Sequence, residues 1–406
     1  MSVTDVAGFA AAGIHCGIKQ GDGSSSPLDL AVVRSNVPGG TANMATSTAN
    51  FQPLAAAGVF TSNKLTAAPV VVSRRHLAIR GSATAVVLNS GNANAATGAQ
   101  GLKDAERMCA LTAQEIGCDT EEVLVCSTGL IGFNLAMDAI ESGIAKAVAA
   151  CSPKGGPAAA EAIMTTDTAI KQALVDAGSF RVGGMAKGAA MLQPNMATML
   201  ALLTTDAAAP ADILQQALGE AVKTTFNCLT TDGAQSTNDT VLLLASAQAE
   251  SPLNQAQLTE AVREVCASLA RQMADDAEGS TKTVTLKVTG AATAEEAAAV
   301  ARRCANSQLI KCSWYGCDPY WGRIASECGV SGVAFDADTL TIAYGDHVVY
   351  RQGVPSDRQS ASHTLDDYMQ GRQLLVHIDL GQGEGEATVV TTDLTPGYIA
   401  ENMRTS

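Results

Sequence analysis

Between Pro194 and Asp206 the chain holds the run Met199-Leu200-Ala201-Leu202-Leu203-Thr204-Thr205, apolar or β-branched at every position. It is too short for an ordinary helix and is closed by a proline on one side and an aspartate on the other, so it predicts a buried strand. The approach is polar and glycine-bearing, Lys187-Gly188, and Thr198 stands at the mouth of the strand behind the small Ala197.

Further short runs rich in apolar and β-branched residues recur at Asp29–Val33, Ala57–Asn63, Ala68–Val72, Ala85–Leu88, Val123–Val125 and Val241–Leu244, and each predicts a strand. Lys103–Ile116, Ala136–Ala150, Ala211–Asn227 and Gln255–Ala274 instead carry apolar residues at helical spacing. The fold class is therefore α/β. Ser35–Asn50, rich in Gly, Thr, Ser and Asn, reads as a loop. From Thr283 the pattern restarts as strand, helix (Ala294–Cys304) and further strands (Leu374–Leu380, Ala387–Val390), with a rigid turn at Cys317–Arg323. This places a boundary between a first domain, 1–282, and a smaller α/β domain, 283–406.

Only 4% of the 406 residues are aromatic although 47% are hydrophobic, so the core has to be built from Ala, Val, Leu, Ile and Met. A net charge of -14 argues against nucleic acid or an anionic membrane as partner, since both need basic surface. Eleven cysteines without CxxC spacing read as reduced thiols rather than a disulfide framework or zinc site. The apolar patch near the N-terminus is short, glycine-broken and without a basic lead, and no window reaches membrane-spanning length. The expectation is a cytoplasmic protein with no metal and no cofactor.

A threonine at the mouth of a strand has one route to strong nucleophilicity. If the chain is cut just before it, its own α-amine, with a pKa near about 8, becomes the adjacent base. That cut requires the Thr198 hydroxyl to attack the Ala197 carbonyl. Taken alone, the stretch reads first as a β-branched residue opening a strand. Two further places offer chemistry. Ala85–Leu88 empties into the polar loop Asn89–Gly98, which is an active-site edge or a plain turn. Val123–Cys126 leads into Ser127-Thr128-Gly129, where a glycine after a hydroxyl residue lets amide hydrogens turn outward, as an oxyanion hole needs. Thr165-Thr166-Asp167-Thr168 follows a helix and can cap or bind a carboxylate, and Glu278 precedes Gly279 at a helix end.

The phrases KGAAMLQPNMATML, NSGNANAATG, STGLIG, TTDT, EGSTK and DPYWGR, spread from about Gly8 to Asn402, resemble the ornithine acetyltransferase (glutamate N-acetyltransferase) family. The resemblance implies a layered α-β-β-α sandwich that cuts itself as N-terminal-nucleophile enzymes do. Cleavage falls between Ala197 and Thr198, giving an alpha chain 1–197 and a beta chain from 198, two of each in a heterotetramer. It makes Thr198 the nucleophile and assigns the oxyanion to Thr128 and Gly129. It places Thr165, Lys187, Thr198, Glu278, Asn402 and the terminal Ser406 against the substrate. This chain departs from the family pattern in four places. Ile170 stands for a proline, Ala277 for a glycine, Tyr320 for an asparagine, and the tail after Asn402 lacks a tyrosine and is one residue shorter.

The implied activity moves the acetyl group of N2-acetyl-L-ornithine to L-glutamate through an acetyl-Thr198 ester, in arginine biosynthesis. Acetyl-CoA as a further donor is left open, since no phrase here is recognisable as a CoA site. An amidohydrolase or aminopeptidase of related fold, passing the acyl group to water, and a binding protein that never cleaves are the alternatives. None of the five histidines lies in a motif suited to a Ser-His-Asp arrangement.

Overall fold

The computed structural model describes residues 1–19, 26–39, 51–193, 199–356 and 358–403. The chain divides into two compact units, the first Met1–Gly188, Asn195–Asn227 and Gln235–Met273, the second Ala189–Pro194, Cys228–Ala234 and Ala274–Ser406. The main division thus falls near the end of the long helix, before residue 282, and two short segments count with the second unit.

In the first unit the described strands are β1 (Phe9–Ile14), β2 (Leu30–Ser35), β3 (Leu54–Phe60), β4 (Ser82–Ala83), β5 (Ala85–Asn92), β6 (Val123–Leu130), β7 (Lys171–Asp176), β8 (Arg181–Lys187), β9 (Leu200–Thr205) and β10 (Thr240–Ala245). Helices α1 (Ala68–Arg80), α2 (Gly98–Ile116), α3 (Met137–Ala150), α4 (Gly156–Ala162), α5 (Ala211–Thr224) and α6 (Gln255–Asp275) alternate with them. Among the described residues the strands form two sheets, ordered β1-β2-β5-β6 and β4-β3-β10-β9-β8-β7.

The two sheets face each other across one apolar core. Val33, Val86, Leu88 and Leu124 from the first sheet join Leu54, Leu200, Leu202, Leu242 and Leu244 from the second. On the outer face of the first sheet Val32, Val87 and Val125 pack with Met108 of α2 and Ile140 and Ile144 of α3. On the outer face of the second, α5 lies against β3 and β10, and Val265 and Leu269 of α6 approach Gly184 of β8. This is an α-β-β-α sandwich. β9 lies between β10, parallel to it, and β8, antiparallel, and all six of its residues are buried. A strand covered on both faces needs no polar alternation, which explains the unbroken apolar run.

One predicted strand is a helix. Ala68–Val72 forms the start of α1, which buries Pro69, Val72, Ser73 and His76 at helical spacing. Pro69 sits in the first turn, where its missing N–H has no partner to lose, and Gly81 closes the helix at φ 61° with its N–H on the Leu77 carbonyl. The three valines suggest a strand, but the period of burial decides.

In the second unit the sheet is ordered β14-β13-β12-β15-β11-β16, built from β11 (Thr283–Ala291), β12 (Thr341–Tyr344), β13 (His347–Arg351), β14 (Val354–Pro355), β15 (Gln373–Asp379) and β16 (Gly385–Thr392). Helices α7 (Ala294–Ala305), α8 (Gln308–Tyr315), α9 (Trp321–Gly329), α10 (Arg358–Gln370) and α11 (Pro396–Glu401) accompany it. Its core gathers Val284, Leu286, Val300, Ile310, Trp314, Ile342 and Val376. The expected turn at Cys317–Arg323 holds as far as Tyr320 and then becomes the first turn of α9. All eleven cysteines are free thiols, and no helix among the described residues is long and apolar enough to cross a membrane.

Candidate active site

β5 and β6 run parallel and end together, with Asn89 opposite Ser127, Ser90 opposite Thr128 and Gly91 opposite Gly129. Gly129 has φ +130°, and a Cβ built on it would stand 2.2 Å from the Gly91 carbonyl carbon and 2.5 Å from Asn92 N. No side chain fits there, so the backbone after Thr128 is turned in a way that only glycine allows. Asn89 Oδ1 and Ser127 Oγ are buried without hydrogen-bond partners among the described residues. The asparagine loop that follows is braced internally. Asn92 Nδ2 donates to Phe133 O and Asn134 O, and Asn94, at φ 48°, donates through Nδ2 to Gly101 O.

Asp167 organises a second group. Its Oδ1 accepts from Lys171 Nζ at 2.6 Å and Gly188 N at 2.7 Å, and its Oδ2 accepts from Thr165 N at 3.0 Å and lies 3.9 Å from Lys187 Nζ. All three charged side chains are buried. Burial pushes the Asp167 carboxyl up, but Lys187, Lys171 and the bonds it accepts bring it down to about 2. One ionised carboxylate therefore anchors both Thr165 and Lys187.

Ala197 and Thr198 lie outside the described residues, as does Ser406. The next residue, Met199, is described: its amide donates to Asp239 Oδ1 at 2.8 Å. Asp239 Oδ2 is buried with no hydrogen-bond partner among the described residues. Burial pushes this carboxyl well above the usual range despite the Met199 bond and the nearby Ser236 hydroxyl. Asn238, the residue before, donates through Nδ2 to Ala93 O at 2.6 Å and to Ser127 O at 2.9 Å.

In the second unit Asn402, at the end of α11, donates through Nδ2 to Glu278 Oε2 at 2.8 Å. The two are brought together by a tight approach. Gly279, at φ +60°, leaves room for α11, since a Cβ there would stand 2.1 Å from Tyr398 N, and Thr395 Oγ1 donates to Gly279 O.

The structure thus brings Thr165 and Lys187 together, places Thr128 and Gly129 at one strand end, and joins Glu278 to Asn402. Sequence reasoning missed the anchoring role of Asp167 and the parts played by Asn238 and Asp239. Asp167 meets Lys171 outside any helix, so the four-residue spacing is not a helical signal and no period points to the pair. Asn238 and Asp239 lie in Cys228–Asp239, whose sequence reads as a polar loop of a kind that often flanks a buried site but gives neither residue a role. Among the described residues no group of three His, Cys, Asp or Glu side chains is arranged to hold a metal ion.

Residues 10–405 match the profile of the ArgJ family. A protein of Streptomyces avermitilis called "Arginine biosynthesis bifunctional protein ArgJ" is 45% identical over 99% of both chains. The protein of the same name from Mycolicibacterium paratuberculosis is 44% identical over 98% of this chain and 95% of its own. Among solved structures, ornithine acetyltransferase of Mycobacterium tuberculosis complexed with ornithine is 40% identical over 47% of this chain and 93% of that one, with a TM-score of 0.41. The protein is an acyltransferase of layered α/β fold. Its likeness to the Streptomyces and Mycolicibacterium proteins runs almost end to end, and it belongs to the ArgJ family.

Proposed function

We propose that the protein cuts itself between Ala197 and Thr198 and then moves the acetyl group of N2-acetyl-L-ornithine to L-glutamate in arginine biosynthesis. The observation that carries this reading is the intact phrase Met196-Ala197-Thr198-Met199-Leu200 inside a chain whose family match spans 10–405.

In self-cleavage the Thr198 hydroxyl adds to the Ala197 carbonyl, the C–N bond to Thr198 breaks, and the hydroxyl proton ends on the freed nitrogen. Water then hydrolyses the ester, leaving a carboxylate on Ala197 and a free Thr198 with hydroxyl and amine. In transfer, the same hydroxyl adds to the acetyl carbonyl of N2-acetylornithine. Its proton passes through the Thr198 amine to the departing ornithine nitrogen, and the acetyl ester remains. The glutamate amine attacks that ester, a new C–N bond forms, and the proton returns to the threonine oxygen. Thr128 and Gly129 stabilise the oxyanion in both halves. Thr165, Lys187, Glu278, Asn402 and Ser406 hold the amine and carboxylate that ornithine and glutamate share. One pocket then serves both amino acids in turn, which predicts ping-pong kinetics.

The processed form is a heterotetramer of two alpha and two beta chains in the cytoplasm. N-terminal sequencing of the purified protein beside Thr198→Ala tests the reading. Two fragments, the second beginning at Thr198, are expected from the native chain and one uncut, inactive polypeptide from the variant. An uncut native chain with full transferase activity overturns it. Acetylglutamate formed from N2-acetylornithine, against bare release of acetate, separates transfer from hydrolysis. Acetyl-CoA supplied as sole donor tests whether the protein is bifunctional.

A further inference from the structure

Asn238 and Asp239 are neighbours in the chain, yet their side chains hold two different strand systems. Asn238 uses its whole carboxamide. Nδ2 donates to Ala93 O at 2.6 Å and Ser127 O at 2.9 Å, and Oδ1 accepts from Thr237 Oγ1 at 2.5 Å. Ser127 is the residue before Thr128, and Ala93 N in turn donates to Leu130 O at 2.9 Å, so Asn238 holds β6 directly before the Thr128–Gly129 pair and, through Ala93, after it. Asp239 grips the other partner, taking the Met199 amide, which belongs to the peptide bond joining Thr198 to Met199. Directly beyond, Thr240 N donates to Met199 O at 3.2 Å and β10 begins its parallel pairing with β9.

Backbone pairing alone starts β9 and β10 in register, and a serine or asparagine would cap the Met199 amide more cheaply than a buried acid. Asp239 is instead fully buried, and its Oδ2 accepts no hydrogen bond from the described residues. A buried polar atom left unsatisfied costs stability and marks a place where the fold is not the only constraint. Burial also pushes the carboxyl well above its usual range, against the Met199 and Ser236 bonds and Lys187.

We propose that Asn238 and Asp239 are positioning residues, a two-residue brace that sets the spacing between the Thr128–Gly129 strand end and Met199, the residue after Thr198 in the chain. The proposal rests on the reading of Thr198 as nucleophile and names what fixes the residue beside it against the strand end assigned to the oxyanion. A displacement on the order of 1 Å between reacting groups costs about a hundredfold in rate, so a brace acts on the chemical step more than on binding.

The test compares Asp239→Asn, Asp239→Leu and Asn238→Leu with the native chain. A carboxamide keeps the acceptor that takes the Met199 amide, whereas leucine has the size without it. Each Leu variant should slow self-cleavage and lower kcat by about tenfold or more while KM stays within about threefold, and Asp239→Asn should recover most of the loss. Folding is followed separately by melting curves of the same substitutions on the uncut Thr198→Ala background. If a Leu variant does not fold, Asp239→Ala and Asn238→Ala, which are smaller and have no hydrogen-bonding group, carry the same expectation. Leu or Ala variants that cut and turn over like the native chain overturn the brace. So does an Asp239→Asn no better than Asp239→Leu, or a rise in KM with kcat unchanged. A Thr198→Ala variant that retains activity instead overturns the nucleophile, and the two failures are told apart by that control.

Discussion

Asp167 stands 3.9 Å from Lys187 inside the first unit and accepts from the Thr165 amide with the same oxygen. Two residues assigned to the substrate therefore share one buried anchor. Removing it takes away the buried carboxylate that faces Lys171 and Lys187, so Asp167→Ala should cost about 3–5 kcal/mol in urea unfolding. Glu141→Ala, which breaks an exposed pair with Arg107, should leave the midpoint where it was. The same anchor sets acid sensitivity. A carboxyl held at about 2, below its ordinary 3.8, stabilises the fold above the ordinary value, and that contribution drains as pH falls toward about 2. Melting curves from pH 5 to 2 should therefore drop more steeply for the native chain than for Asp167→Asn. Parallel curves would show that Asp167 is not held as described.

Gly129 gives a prediction about geometry rather than charge. Its backbone at φ +130° and the 2.2 Å approach to the Gly91 carbonyl carbon leave no room for a methyl group. Gly129→Ala should separate the ends of β5 and β6 and lower the rates of self-cleavage and transfer by about a hundredfold. Gly219, in α5, is the control, since a methyl group added there would meet nothing within 4 Å. Gly219→Ala should leave the rates unchanged and raise stability by up to about 1 kcal/mol. Equal rates in the two variants would remove Gly129 from the oxyanion site.

Much of this arrangement is written in short-range pattern. The continuous apolar runs of β9 and β10 announce strands covered on both faces, and Thr128-Gly129 can be picked out because a glycine follows a hydroxyl residue at a strand end. The valines of α1 mislead because β-branched composition and helical burial point opposite ways, and tertiary packing decides. Asp167, Asn238 and Asp239 are harder to read. Asn238 acts on Ala93 and Ser127, and Asp239 on Met199, all distant in sequence, so no local period encodes them. The Glu278–Asn402 pair, 124 residues apart, became legible only through family resemblance.

The Asn402 carboxamide donates to Glu278 Oε2 at 2.8 Å, which orients the carboxylate assigned to the substrate amine. Both amino acids use that position in the proposed relay. Asn402→Ala should therefore raise KM for N2-acetylornithine and for glutamate together, each by roughly tenfold, the equivalent of one charge-assisted hydrogen bond. Self-cleavage should proceed as in the native chain, because it involves no bound amino acid. A change confined to one substrate would argue against a shared pocket.

Lys311 in the second unit supplies a test of stability at alkaline pH. Its Nζ donates to Thr391 Oγ1 at 2.8 Å and Thr392 O at 2.6 Å, deep in the core. Burial pushes the ammonium down to about 7 from 10.5, with Asp232 and Asp393 pulling the other way. The folded chain therefore binds fewer protons than the unfolded chain between about 7 and 10.5. The penalty for burying the charge is complete below about 7 and is relieved as pH rises through that window, so stability climbs. One proton limits the slope to about 1.4 kcal/mol per pH unit. Lys311→Met keeps the bulk and removes the titration, at the cost of the bonds to Thr391 and Thr392. That loss shifts its curve by a constant amount and contributes nothing to its slope. In urea midpoints measured from about pH 7 to about pH 10, the native chain should gain steadily on the variant. Curves that run parallel across this range would mean that Lys311 titrates in the folded chain as it does in the unfolded one.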